Sequence, residues 1–404
     1  MKTRFIRFSN TLLALTGSVI LTAQLAQGAT LTWDPTGGGT SDGAGAWLTA
    51  GDWWDGASNV NWTSADDAIF GNGGAGGAVT LASGTTVGSI TFNSFTGTYT
   101  IGTAGQTITL NNGITMNSGA GIVSIISPIT LGGAQSWTNN DDSLLTVGTG
   151  AVTNGGFLLT IGGTGNTTVS SVIGGSGGLT KTGSGLLTLS GASTFTGGVT
   201  MTAGTVSFTS TGLGVASAAN KITFTGNSTL QWGAATTTDL SSRLIINNGV
   251  TATLDTGANN VTFASVFGLE NNSKGTLNKI GSGTLTLSNA ANQFAGNIVI
   301  TNGKVALGNQ YGMWQSTYDT TGSTGAIGLT ATGQATPWLG GVAGSVNLAT
   351  AITGYASITS LTLNPQLGSS VSYGGVIANG AANMILNKTG LGTQTLTGAN
   401  TYSG

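Results

Sequence analysis

The 404-residue chain reads as an all-β protein. The expected architecture is a parallel β-solenoid (β-helix) with an N-terminal cap, preceded by a cleaved signal peptide. Three observations lead there. Apolar and polar residues alternate with period two in TVGSITFNS from Thr86, NKITFTG from Asn220 and TSLTLNP from Thr359, the mark of half-buried strands. Such stretches recur about every eight to twelve residues between Gly-Gly, Asn-Gly, Thr-Gly and Ser-Gly turns, with no change of style that would separate two domains. Finally, one long glycine-punctuated phrase is repeated.

The amino terminus has the layout of a secretory signal. Lys2, Arg4 and Arg7 form a basic start, Leu12 to Leu21 a short apolar stretch, and Ala26-Gln27-Gly28 a small-residue cleavage site, so 1–28 is expected to be removed. That stretch is too short and too interrupted to span a bilayer, and no later run approaches that length.

Residues 29–75 differ in texture. They hold five of the nine tryptophans (Trp33, Trp47, Trp53, Trp54, Trp62) and six of the twelve acidic residues. A solenoid end exposes strand edges and an apolar cross-section, so this segment is expected to be a cap. The same tryptophans also offer a sugar-binding platform, which the need to close the solenoid disfavours.

Residues 76–404 are expected to form the solenoid. With 71 glycines, 39% hydrophobic and only 5% charged residues, it must be held by backbone pairing and a continuous apolar core. At about 20 to 25 residues per coil and ~4.8 Å per coil, the rod would be about 70 to 90 Å long. A threonine surface of the ice-binding kind would need a regular T-x-T on every coil, and the threonines drift.

The repeated phrase appears near 177–208, 274–307 and 382–404, the last copy incomplete. Lys181, Gly183, Gly185, Leu187, Leu189, Phe195 and Gly197 align with Lys279, Gly281, Gly283, Leu285, Leu287, Phe294 and Gly296. Lys388, Gly390, Gly392, Leu396 and Tyr402 mark the third copy, where Gln394 replaces the first leucine. Leucines are expected to face inward, threonines outward and glycines to form corners. The lysine is expected at a turn or coil edge, where it discourages stray pairing.

Composition excludes several functions. Removing 1–28 leaves seven basic residues against twelve acidic ones, a formal charge of −5, and the basic residues are scattered, so nucleic acid is not an expected partner. Without cysteine or histidine there are no disulfides, no nucleophile systems built on those residues and no transition-metal sites that need them; no cofactor is expected. A hydrolase would have to rely on Asp66-Asp67, Asp141-Asp142 or Glu270, and a lyase on Arg243. Adjacent aspartates on a strand point to opposite faces, so these read as turn or cap residues. Oxygen ligands for calcium at Asn61, Ser64, Asp66 and Asp67, or at Asn139 to Asp142, lack the repeating ladder of a calcium-binding helix.

The phrase GGLTKTGSGLLTLSGASTFTGGVTMTAG and its partial copy LNKTGLGTQTLTGANTYSG resemble the autotransporter-associated β-strand repeat, also called the passenger-associated transport repeat. The resemblance implies a right-handed β-helical passenger, secreted or displayed at a bacterial outer surface, with repeats that assist its secretion and folding. It makes the lysine, glycine, leucine and aromatic positions above structural. The resemblance is nearly silent on biochemical activity; with no catalytic constellation in the sequence, the expected role is structural or adhesive, not enzymatic, and the expected partners are secretion machinery and an extracellular polysaccharide or host matrix surface. A carbohydrate-binding or polysaccharide-degrading protein on the same scaffold is the second reading.

Overall fold

The computed structural model describes residues 28–39, 41–209, 211–217, 219–268 and 273–404. The signal-peptide reading of 1–28 falls, except for Gly28, outside the described residues, and so does Glu270. The chain winds into a parallel β-solenoid; among the described residues the only helical pieces are one turn at Leu348–Ala351 and a 3₁₀ turn at Tyr355–Ser357.

One face runs through nearly the whole rod: a 16-stranded sheet from Gly45–Ala46 to Ile385–Lys388. Its fifteen steps at ~4.8 Å give a rod of about 72 Å. The neighbouring 15-stranded sheet starts at Thr30–Trp33 and stops at Leu244–Ile246. A five-stranded sheet from Val261–Phe263 to Ile352–Thr353 then flanks the long face, followed by a pair formed by Ser370–Tyr373 and Thr393–Leu396.

Alternation places one side of most strands in a common core. On the long face Leu187, Val206, Leu230 and Leu254 stack in register, and on the 15-stranded face Ile161 stands one coil before Lys181 and Met201 one coil after it. These aliphatic side chains are almost wholly removed from water. Each full burial is worth about 1.5–3 kcal/mol, which is why the rod needs no ion-pair network.

The outward columns hold a regularity that the sequence hides. Thr100, Ser124, Thr146, Thr168, Thr188 and Ser207 occupy one register column across six successive coils. The threonines thus align in space, contrary to the drift in the sequence. Along this column the coil length varies between 19 residues (Thr188 to Ser207) and 24 (Thr100 to Ser124), and the turns absorb the difference.

At the amino end the pattern breaks. Thr30–Trp33 pairs in parallel with Asp67–Phe70, but its other edge takes the short antiparallel strand Trp53–Trp54, which in turn pairs with Asn59–Val60. Trp33, Trp47 and Trp53 are buried, with Trp53 5.2 Å from Trp33 and 5.1 Å from Trp47 between ring centroids. All three rings also pack on Phe70.

Candidate functional site: the lysine corner of the repeat

In the first copy, strand Leu179–Lys181 ends at Lys181, a Thr-Gly-Ser-Gly turn follows, and Leu186–Leu189 continues on the long face. The second copy repeats this with Thr276–Ile280 and Thr284–Leu287, and the third with Ile385–Lys388 and Thr393–Leu396. The copies occupy different corners. In the first, the lysine strand belongs to the 15-stranded sheet; in the other two it belongs to the long face. The phrase therefore encodes a corner that is independent of the face it joins.

The lysine corrects the expectation of a coil-edge role. Lys181 and Lys279 are 2% and 0% exposed and stand in inward columns, Lys181 beside Ile161 and Met201, Lys279 beside Leu254 and Ile300. Their four-carbon stems pack like aliphatic residues while the ammonium curls toward the turn. Lys181 Nζ donates to the carbonyls of Thr182 (2.5 Å) and Gly183 (2.9 Å). Lys279 Nζ donates to Ile280 (2.7 Å), Gly281 (2.9 Å) and, one coil on, Asn302 (3.4 Å). The signal for this in the sequence is an inward alternation with one cation in it.

Lys388 reproduces the clamp in the last described coil, with 2.7 Å to Thr389 O and 3.0 Å to Gly390 O, although it is exposed. The cage therefore closes within its own coil. In the interior copies the next coil covers it with a glycine: a Cβ on Gly204 would lie 2.7 Å from Lys181 Nζ. Gly183, Gly281 and Gly390 have φ of +65°, +82° and +67°, a conformation that side chains with a Cβ resist. Gly185, Gly283 and Gly392 have no room for a Cβ because each lies against a carbonyl of the preceding coil, Gly165, Asn259 and Gln366 respectively.

Of the other repeat positions, Leu187, Leu189, Leu285 and Leu287 are buried, as are Phe195 and Phe294, and Phe294 stacks on Phe267 at 4.6 Å. Gly197 and Gly296 approach the backbone at Gly177 and Gly275, while Leu396 and Tyr402 in the last coil are half-buried. Gln394 breaks the leucine pattern for a reason. Strand Trp338–Ala343 pairs with Ser360–Leu363 only at Trp338 and Leu339. The Gln394 amide serves the backbone beyond that point, accepting from Val342 N at 3.0 Å and donating to Val342 O at 2.9 Å.

Burial pushes both interior lysines down, from 10.5 to about 8; at Lys279 the nearby Asp255 opposes the shift. Both are cationic at neutral pH, so folding there carries the cost of desolvating them. Between pH 8 and 10.5 the unfolded chain holds more protons on these lysines than the folded one, so stability rises with pH. Above pH 10 the buried tyrosines oppose this, since burial raises Tyr99, Tyr318, Tyr355 and Tyr373. The urea midpoint is therefore expected to increase from about pH 7.5 to 9.5, and a Lys181→Met/Lys279→Met double variant to lose that increase.

Of the residues considered for catalysis, Asp66, Asp141 and Arg243 bond to backbone groups. Asp66 accepts from Ala29 N (2.8 Å), Thr63 N (2.8 Å) and Thr63 Oγ1 (2.6 Å), and Asp67 from Ser89 Oγ (2.9 Å). Burial works against ionisation of Asp141, but the Ser143 and Gly119 N–H groups outweigh it and hold its carboxyl below the usual range. Asp142 is exposed. Asn139 donates to Ser143 O and Asn166 O, and Asn61 accepts from Gly51 N. Arg243 is buried, donating to Asn220 O (2.7 Å) and Leu213 O (2.6 Å), a second way of solvating an interior cation with carbonyls. Among the described residues no group of three or more acidic side chains is placed to hold a metal ion. Asp66→Ala is expected to cost about 2 kcal/mol by unpairing the N–H groups of Ala29 and Thr63, measurable by thermal unfolding.

Comparison with known proteins agrees with this geometry. The passenger-associated-transport-repeat family matches residues 179–208, 277–307 and 386–404, each starting in a lysine strand. The chain is similar to the Adhesin BmaC autotransporter of Brucella suis biovar 1 (strain 1330), 32% identical over 190 residues, which are 43% of this chain and 4% of that protein. No solved structure matches. No helix among the described residues is long and apolar enough to cross a membrane. Three lysine corners in one all-β coil stack, each within a matched segment, mark this chain as a β-solenoid that carries passenger-associated-transport repeats.

Proposed function

We propose that the chain is the solenoid of an exported passenger, secreted or held at a bacterial outer surface, where it has a structural and adhesive role without catalysis. The observation that carries this reading is the repeat itself: the residues its copies share close corners and stack coils, in keeping with a family named for a transported passenger. The similarity to a protein named as an adhesin and autotransporter supports the adhesive part. We propose further that 29–75 caps the first coil, because its antiparallel strands lie on the edge that a preceding coil would otherwise occupy. Secretion machinery and an extracellular polysaccharide or matrix surface are the corresponding partners.

The test is surface delivery and attachment. In a bacterium producing the full gene product, external protease should release fragments of this region from intact cells. Beads coated with the purified chain should attach to matrix-coated surfaces better than albumin-coated beads. Protection from protease until lysis would contradict export. Polysaccharide turnover that disappears in Asp66→Asn/Asp67→Asn would contradict the non-enzymatic reading.

A further inference from the structure

Trp62 is the member of the aromatic cluster that reaches a groove. Its ring packs 5.1 Å from Trp47 and 4.7 Å from Trp53, and its Nε1 donates to Thr85 Oγ1 at 3.1 Å, so its orientation is fixed from behind. It is half-buried, and with Leu48, Ser64, Thr86, Thr107 and Thr109 it lines an open groove of about 520 Å³. Leu48 is 38% exposed there, an apolar neighbour to the indole.

The groove continues into an ordered surface. Thr86, Thr109, Thr130 and Thr153 lie in one register column over four successive coils. Their hydroxyls, each both donor and acceptor, repeat at ~4.8 Å along the solenoid axis. That rung spacing is close to the length of one pyranose residue. A sugar presents the complement: apolar C–H faces for an indole and an isobutyl group, and hydroxyls for a ladder of hydroxyls.

Charge selects among sugars. No charged side chain lines the groove, whereas residues 29–75 beside it carry six of the chain's twelve acidic groups. A polyanionic chain would meet repulsion without any compensating cation.

We infer that this groove binds a neutral polysaccharide chain lying along the solenoid axis, with Trp62 packed on one sugar and the threonine column hydrogen-bonding those that follow. This deepens the adhesive reading and rests on it. The experiment is calorimetric titration of the full chain with cellohexaose, mannohexaose and polygalacturonate. Saturable binding of at least one neutral oligosaccharide is expected, with polygalacturonate about tenfold weaker or absent. Trp62→Ala should weaken that binding by about tenfold or more, and Thr109→Val, which keeps the shape and removes one hydroxyl, by several-fold. If Trp62→Ala fails to fold, Thr109→Val decides. Absence of saturable binding to both neutral sugars, preference for polygalacturonate, or binding undiminished in the folded variants overturns the assignment. Trp62→Ala that loses the neutral oligosaccharide yet still attaches, on beads, to a sugar-free matrix protein supports the groove assignment and places adhesion to that matrix on another surface.

Discussion

Lys279→Ala is expected to destabilise the protein by about 4 kcal/mol, while Lys279→Met costs about 1–2 kcal/mol. Truncation to alanine leaves a cavity in the column between Leu254 and Ile300 and strips the carbonyls of Ile280, Gly281 and Asn302 of the ammonium. Methionine restores the volume and removes the cation that burial disfavours, leaving only the unpaired carbonyls. The difference between the two variants, read as urea midpoints at pH 7, separates packing from charge. Equal losses would mean that the ammonium's bonds dominate and that the stem contributes little. Lys388→Ala, at the exposed copy, is expected to change stability by less than about 1 kcal/mol.

Gly281→Val has the second large effect. The position sits at φ +82° and a Cβ would press on the backbone of Gly257 and the carboxylate of Asp255 one coil earlier. A β-branched residue thus meets conformational strain and a backbone clash together, and a loss of about 4 kcal/mol or failure to fold is expected. Thr389→Val is a fitting contrast in the corresponding turn of the third copy: its Oγ1 bonds only Asn364 Oδ1, at 3.1 Å, so a cost of about 1 kcal/mol is expected. Denaturant melts of both variants, with far-UV circular dichroism to confirm the β signal, check the pair.

Much of this was legible from residue types. Period-two alternation and glycine spacing are local consequences of strand and turn geometry, so the coil stack and the inward leucines could be read directly. The corner glycines were readable for the same reason, since Gly183 and Gly281 answer to backbone conformation alone. What escaped depends on register between coils. The hydroxyl column from Thr100 to Ser207 forms because turns of unequal length bring unequal coils back into step. The exchange of the 15-stranded face for the five-stranded one after Leu244–Ile246 leaves no mark in composition. The lysine was misplaced because charge usually argues for solvent; a stem long enough to lie in an apolar column with its head on turn carbonyls reverses that argument. Trp62 was grouped with Trp33, Trp47 and Trp53, and only three-dimensional packing separates the groove-facing ring from the buried ones.

The central claim is that the repeat closes solenoid corners with an interior lysine whose ammonium is held by backbone carbonyls. Amine acetylation at pH 8, followed by mass spectrometry, tests it directly. The folded protein should be modified readily at exposed Lys274 and Lys388, while Lys181 and Lys279 stay protected until urea unfolds the chain. A lowered pKa makes an accessible lysine more nucleophilic, so the alternative is unmistakable: acetylation of Lys181 and Lys279 in the folded protein at or above the rate of Lys274 would contradict the account.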